Sequence, residues 1–122
     1  MAESKLRITE RLVDDVTVLM LSGEILLDDG DLLFRKQIHD LAERGRVRIL
    51  LDLGGVTYID SSGVGMMAAK LKTVRERGGD IRLVHLTTRG QRLMSLLKLR
   101  SAFEVFDDEA AAVRSFSWRP HS

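Results

Sequence analysis

The chain has no cysteine, one proline and few aromatic residues (5%). Without cysteine there is no disulfide framework, no thiol nucleophile and no thiolate metal site. With so little proline, the helices and strands can run without internal breaks. Neither sign of charge dominates. The 19 basic and 18 acidic residues are intermixed along the chain, for a net charge of +1. No basic block or aromatic-basic stripe marks a nucleic-acid partner. No apolar run approaches the ~18 residues that span a bilayer, and Met1 to Lys5 lack the apolar core of an export signal. The expectation is a cytoplasmic protein with no membrane or nucleic-acid partner.

What remains is ordinary globular material: 122 residues, 44% hydrophobic and 30% charged. That is the size of one domain, predicted over residues 1–122 with its core at about 6–116. Leu6, Ile8 and Leu12 alternate with polar residues, as in a strand with one wet face near a sheet edge. Asp14-Asp15 is a turn signal. Val16 to Leu21 reads as a more buried strand, ending at Ser22-Gly23. The Asp28-Asp29-Gly30-Asp31 cluster is a loop entering a helix that Asp29 or Asp31 could cap. This helix puts Phe34, Ile38, Leu41 and Ala42 on one stripe and ends at Gly45.

Val47 to Leu53 is the strongest strand pattern and belongs in the middle of a sheet. A helix is predicted from about Ser62 to Arg77, with Val64, Met67, Ala68, Leu71 and Val74 inward. A strand follows from Ile81 to Leu86. Thr88 and Gln91 resemble a capping box for a helix to about Leu97, with Leu93, Leu96 and Leu97 inward. Phe103 to Phe106 is a short strand. Asp107-Asp108-Glu109 opens a last helix docked by Ala112, Val113 and Phe116, and Ser117 to Ser122 is a tail. The order predicts an α/β fold: a mixed, mostly parallel sheet with an N-terminal antiparallel strand and helices packed on it.

The most informative stretch is Val56-Thr57-Tyr58-Ile59-Asp60-Ser61-Ser62-Gly63-Val64-Gly65. An acid, two hydroxyls and two glycines lie where a strand gives way to a helix. Unpaired N–H groups and the helix dipole favour negative charge there. Locally, the serines could be no more than a turn and a helix cap. The run Asp60-Ser61-Ser62-Gly63-Val64-Gly65 resembles the signature of the STAS domain (sulfate transporter and anti-sigma factor antagonist). Ser22-Gly23-Glu24, Leu51-Asp52-Leu53 and Gly78-Gly79 support the resemblance, which covers about Leu6 to Phe116 and is strongest for the free-standing antagonist type.

The resemblance implies a partner-switching protein. The serine after the motif aspartate maps onto Ser61, the phosphate acceptor. Asp60, Ser62, Gly63 and Gly65 would support it, with Ser62 as helix cap or neighbour. The implied partners are an anti-sigma factor serine kinase and a serine phosphatase, and a homodimer is left open. No enzyme activity, cofactor or metal is implied for the chain itself. Met66 and Ala69, off the inner stripe of the helix, are candidate partner contacts or core margin. Asp28 and Asp29 are weaker candidates: Leu26 stands where many family members carry an aspartate, and these acids come later. The alternative functions are a STAS scaffold in another signalling assembly, or a ligand- or nucleotide-binding module.

Other chemistries fit less well. Gly63-Val64-Gly65-Met66-Met67-Ala68 formally matches a dinucleotide loop, but Gly54 to Ser62 separate it from the predicted strand, and Asp80 precedes the next strand. A hydrolase triad of Ser61, His85 and an aspartate lacks the G-x-S-x-G setting. His85 reads as a strand-end residue. His39, His85 and His121 show no metal-ligand spacing. A receiver domain would need acids clustered after the first strand, where Asp14-Asp15 forms a turn instead.

Overall fold

In the computed structural model, residues 5–26 and 29–117 are described, those at 29–31 and 117 by backbone alone. The elements run β1 (Leu6–Val13), β2 (Val16–Ile25), α1 (Asp29–Glu43), β3 (Arg48–Ile59), α2 (Ser61–Glu76), β4 (Asp80–Val84), α3 (Thr88–Leu96), β5 (Val105–Phe106) and α4 (Glu109–Ser117). The strands form a five-stranded sheet in chain order, β1-β2-β3-β4-β5. β1 pairs antiparallel with β2 through the turn at Asp14-Asp15, and every later pairing is parallel. The predicted mixed, mostly parallel α/β fold is observed.

Strand alternation divides the interior into two layers. Ile49, Leu51 and Leu53 point to one face with Leu19, Leu21, Ile81 and Leu83, under α1, α2 and α3. Leu50 points to the other with Val16, Val18 and Val84, where Ala112, Val113 and Phe116 of α4 cover them. Arg11 donates to Glu109, tying α4 to β1. The inner stripe expected for α1 is buried in full: Phe34 is 1% exposed, Ala42 4%, and Ile38 and Leu41 not at all. Gly45, with φ of 77°, ends α1 in the left-handed region that glycine tolerates.

The structure corrects several boundaries. β2 runs past Ser22-Gly23 to Ile25, and β3 runs past Gly54-Gly55 to Ile59. The register between them shifts at Met20/Ser22 and again at Gly23/Glu24. A β-carbon on Gly55 would lie 2.9 Å from Ser22 Cβ. The glycines therefore bend a continuous strand pair at a bulge, and buried Val56 and Ile59 carry β3 onward. β4 stops at Val84 rather than Leu86, and β5 begins at Val105 rather than Phe103. α1 begins at Asp29, so Asp29 and Asp31 both lie inside the helix and neither is its N-cap.

Leu12 is 57% exposed, not part of the inner face of β1. In α3 the phase differs from expectation. Thr87, not Thr88, is the N-cap, its hydroxyl accepting from Gly90 N at 3.1 Å. Gly90 and Met94 turn inward, whereas Leu96 is 76% exposed. A β-carbon on Gly90 would come within 2.6 Å of Leu86 Cδ1, so a larger residue there would displace the end of that side chain.

Phe34 fills the layer beneath α1, so Phe34→Ala is expected to destabilise the protein by about 3–5 kcal/mol. A urea titration comparing midpoints at constant slope measures this.

Candidate functional site

β3 ends at buried Ile59, and α2 starts two residues later. Asp60 makes the join. Its backbone is extended (φ −104°, ψ 176°), and its Oδ1 accepts from Gly63 N at 2.8 Å. Its N–H reaches Ile25 O at 3.4 Å, and its carbonyl accepts from Val64 N at 3.2 Å. One residue thus ends a strand, caps a helix and holds the end of β2. The cap is Asp60 and not Ser62: a carboxylate directly before the first helical residue reaches the third amide of the helix, as an N-cap must.

This releases both serines. Ser61 and Ser62 occupy the first turn of α2, both are exposed, and neither hydroxyl bonds to a described residue. The two motif glycines differ. Gly63 is buried, and a β-carbon there would meet Ile25 Cγ2 at 2.8 Å and Ile25 O at 2.9 Å. Gly63 therefore lets α2 start against the end of β2. Gly65 is exposed with nothing within 4 Å of its missing β-carbon, so it keeps the surface beside Ser61 low. Met66 is half-buried and packs against the main core, while Ala69 is exposed. Asp28 lies outside the described residues, and Asp29 is described only as the first residue of α1.

Arg89, in the first turn of α3, joins the site and was not expected from the sequence. Its Nε donates to Ile59 O at 2.8 Å and its Nη2 to the Tyr58 hydroxyl at 2.9 Å. Its guanidinium lies 4.2 Å from the centre of the Tyr58 ring. The strand carbonyl just before Asp60 is thereby fixed. A signal existed: β3 and β4 are parallel neighbours, so the helices that follow them begin at the same edge of the sheet.

The competing chemistries find little geometry. His85 follows β4 with φ of 61°, and its Nδ1 lies 3.0 Å from Asp52 Oδ1. That pair opens onto a cleft lined by Thr9, Met20, Ser22 and Gly54, without Ser61. Among the described residues, no group of His, Asp and Glu side chains is placed to hold a metal ion. The glycine motif does follow β3 closely, because the strand extends to Ile59. However, Gly63 N is already bonded to Asp60, and this carboxylate at the helix start repels a dinucleotide phosphate.

Asp60→Ala removes the cap and should cost about 1 kcal/mol, whereas Asp60→Asn should keep most of it. Chemical denaturation of the two variants side by side distinguishes capping from a charge effect.

Known proteins share this sequence pattern and fold. The STAS domain model matches residues 7–112. A Thermotoga neapolitana protein named "Putative anti-sigma factor antagonist" is 31% identical over 110 residues, 89% of this chain and 96% of that protein. The anti-sigma-B factor antagonist of Bacillus subtilis is 31% identical over 85 residues, 70% of this chain and 76% of its own. The crystal structure of a Thermotoga maritima protein titled in the same terms as the first relative superposes with a TM-score of 0.82 at 28% identity, covering 91% of this chain and 95% of that one. No helix of the described residues is long and apolar enough to cross a membrane. A strand that ends on a capping aspartate, two exposed serines and a glycine packed on the neighbouring strand are thus features of a chain that belongs to the STAS domain family, on the anti-sigma factor antagonist side of it.

Proposed function

We propose that this chain is a phosphorylation-switched anti-sigma factor antagonist acting in the cytoplasm. Unphosphorylated, it binds an anti-sigma factor that is itself a serine kinase, and sigma factor is released. The kinase phosphorylates Ser61 and the complex dissociates. A serine phosphatase restores the first state. The chain contributes a surface and an acceptor hydroxyl, and its partners carry the chemistry.

The observation behind this reading is the exposed Ser61 hydroxyl on the first turn of α2, beside a carboxylate that already caps the helix. A phosphate there adds about −1.5 to −2 charges. The helix end offsets only about 0.3–1 kcal/mol of the cost, and Asp60 opposes the new charge. The domain can carry the group in solvent, but a partner pressed onto the site must desolvate it. Ser62, Met66, Ala69 and Thr73 follow one another at helical spacing along α2. Ala69 is the exposed apolar member of that row.

In protein purified from its own host, mass spectrometry should find phosphate on Ser61. With the purified kinase, Ser61→Asp should weaken binding at least tenfold, which is about 1.4 kcal/mol, while Ser61→Ala binds like wild type and is not phosphorylated. Undiminished binding by Ser61→Asp would sink the switch. Ala69→Glu should likewise lower affinity with an unchanged melting temperature. Equal binding would remove this row from the partner surface.

A further inference from the structure

A second feature lies away from Ser61. Between α3 and the short edge strand β5 is a cleft of about 480 Å³, within the range of small-molecule sites. The edge beside it is short, since β5 consists only of Val105 and Phe106. The floor is apolar: Met94 is 2% exposed and Phe103 5%, with Leu86 half-buried beside them.

The rim is cationic. Arg92 and Arg100 line the cleft and are both exposed, and neither bonds to a described residue. Elsewhere, Arg11, Arg48, Arg75, Arg77 and Arg82 each meet a carboxylate, while the exposed side chains of Arg7, Arg46 and Arg114, like those of Arg92 and Arg100, pair with no described residue but line no such cleft. Among the described residues no acidic one lines this cleft, while Thr88 and Ser95 add hydroxyls and Gln91 an amide. A pocket with an apolar floor, hydroxyls on its wall and two uncompensated guanidinium groups at its mouth matches one chemistry. We propose that the α3–β5 cleft binds a small amphipathic organic anion, its carboxylate or phosphate head held by Arg92 and Arg100 and its apolar body laid on Leu86, Met94 and Phe103. Arginine suits this role because its planar fork pairs with two oxygens at once. The site shares α3 with Arg89 but includes no residue of the Ser61 motif, so it stands independently of the switch.

Backbone-amide NMR titration of the full chain tests it. The probes are decanoate and 1-naphthyl phosphate, each added to about 10 mM, since ligands of this size bind weakly. Saturable shifts centred on Leu86, Met94 and Phe103 are expected with one or both, and which one saturates identifies the head group. Inorganic phosphate and neutral 1-naphthol should each bind at least tenfold more weakly than the naphthyl ester. An Arg92→Ala, Arg100→Ala double variant should lose at least tenfold in affinity. Ser95→Phe fills the cleft with both charges intact and should abolish binding. The proposal is overturned if no probe saturates, if the shifts centre on α2, or if either variant binds as well as wild type. Failure of every probe, with weaker binding of the anti-sigma kinase by the double variant, would overturn it in favour of a protein contact at these arginines.

Discussion

The junction of β2, β3 and α2 rests on Asp60. Its N–H turns to Ile25 O, its carbonyl accepts the first helical bond, and its side chain takes the amide of Gly63. These bonds close only if α2 starts hard against Ile25, and that is possible only because Gly63 has no β-carbon. Since the cap lies at position 60, both serines are left to solvent. The exposure of the Ser61 hydroxyl is thus a consequence of how a strand end, a helix start and a neighbouring strand are satisfied together.

The surrounding architecture stabilises that junction from two sides. Beneath it, the main core fills one face of the sheet with residues from β1 to β4 and three helices. Beside it, Arg89 reaches across from α3 to bond the last carbonyl of β3 and to cover Tyr58. A residue held by two hydrogen bonds and a ring contact limits movement of the Ile59–Asp60 peptide. Under the proposed switch, a rigid platform would let a phosphate on Ser61 alter what a partner meets while leaving the fold intact.

Much of this was legible in the residues. The stripe Phe34, Ile38, Leu41 and Ala42 marked α1, alternation and turn chemistry marked the first hairpin, and the mostly apolar run from Val47 to Leu53 marked the central strand. Ser61 stood out through its motif. The failures share a cause, which is that local signals compete and only packing settles them. Gly54-Gly55 reads as a break but is a bulge matched by a shift in β2. Thr87 and Thr88 are equivalent as local caps, and the bond from Gly90 N to the Thr87 hydroxyl marks Thr87 as the one used. In the folded helix Met94 is buried, Leu93 is half-buried against the main core and Leu96 is exposed.

By itself the sequence determined the periodicities, and with them the kinds and order of the elements, the alternation that makes the sheet parallel after its first hairpin, and the chemical types available at the strand-to-helix junction. These depend on near neighbours in the chain, whose geometry is fixed by the backbone. Only the tertiary structure decided which oxygen caps α2, which motif glycine is buried, how far β3 runs and that Arg89 joins the site. Each of those turns on atoms distant in sequence, Ile25 against Gly63, Ser22 against Gly55 and Arg89 against Ile59, and their approach exists only once the sheet has assembled.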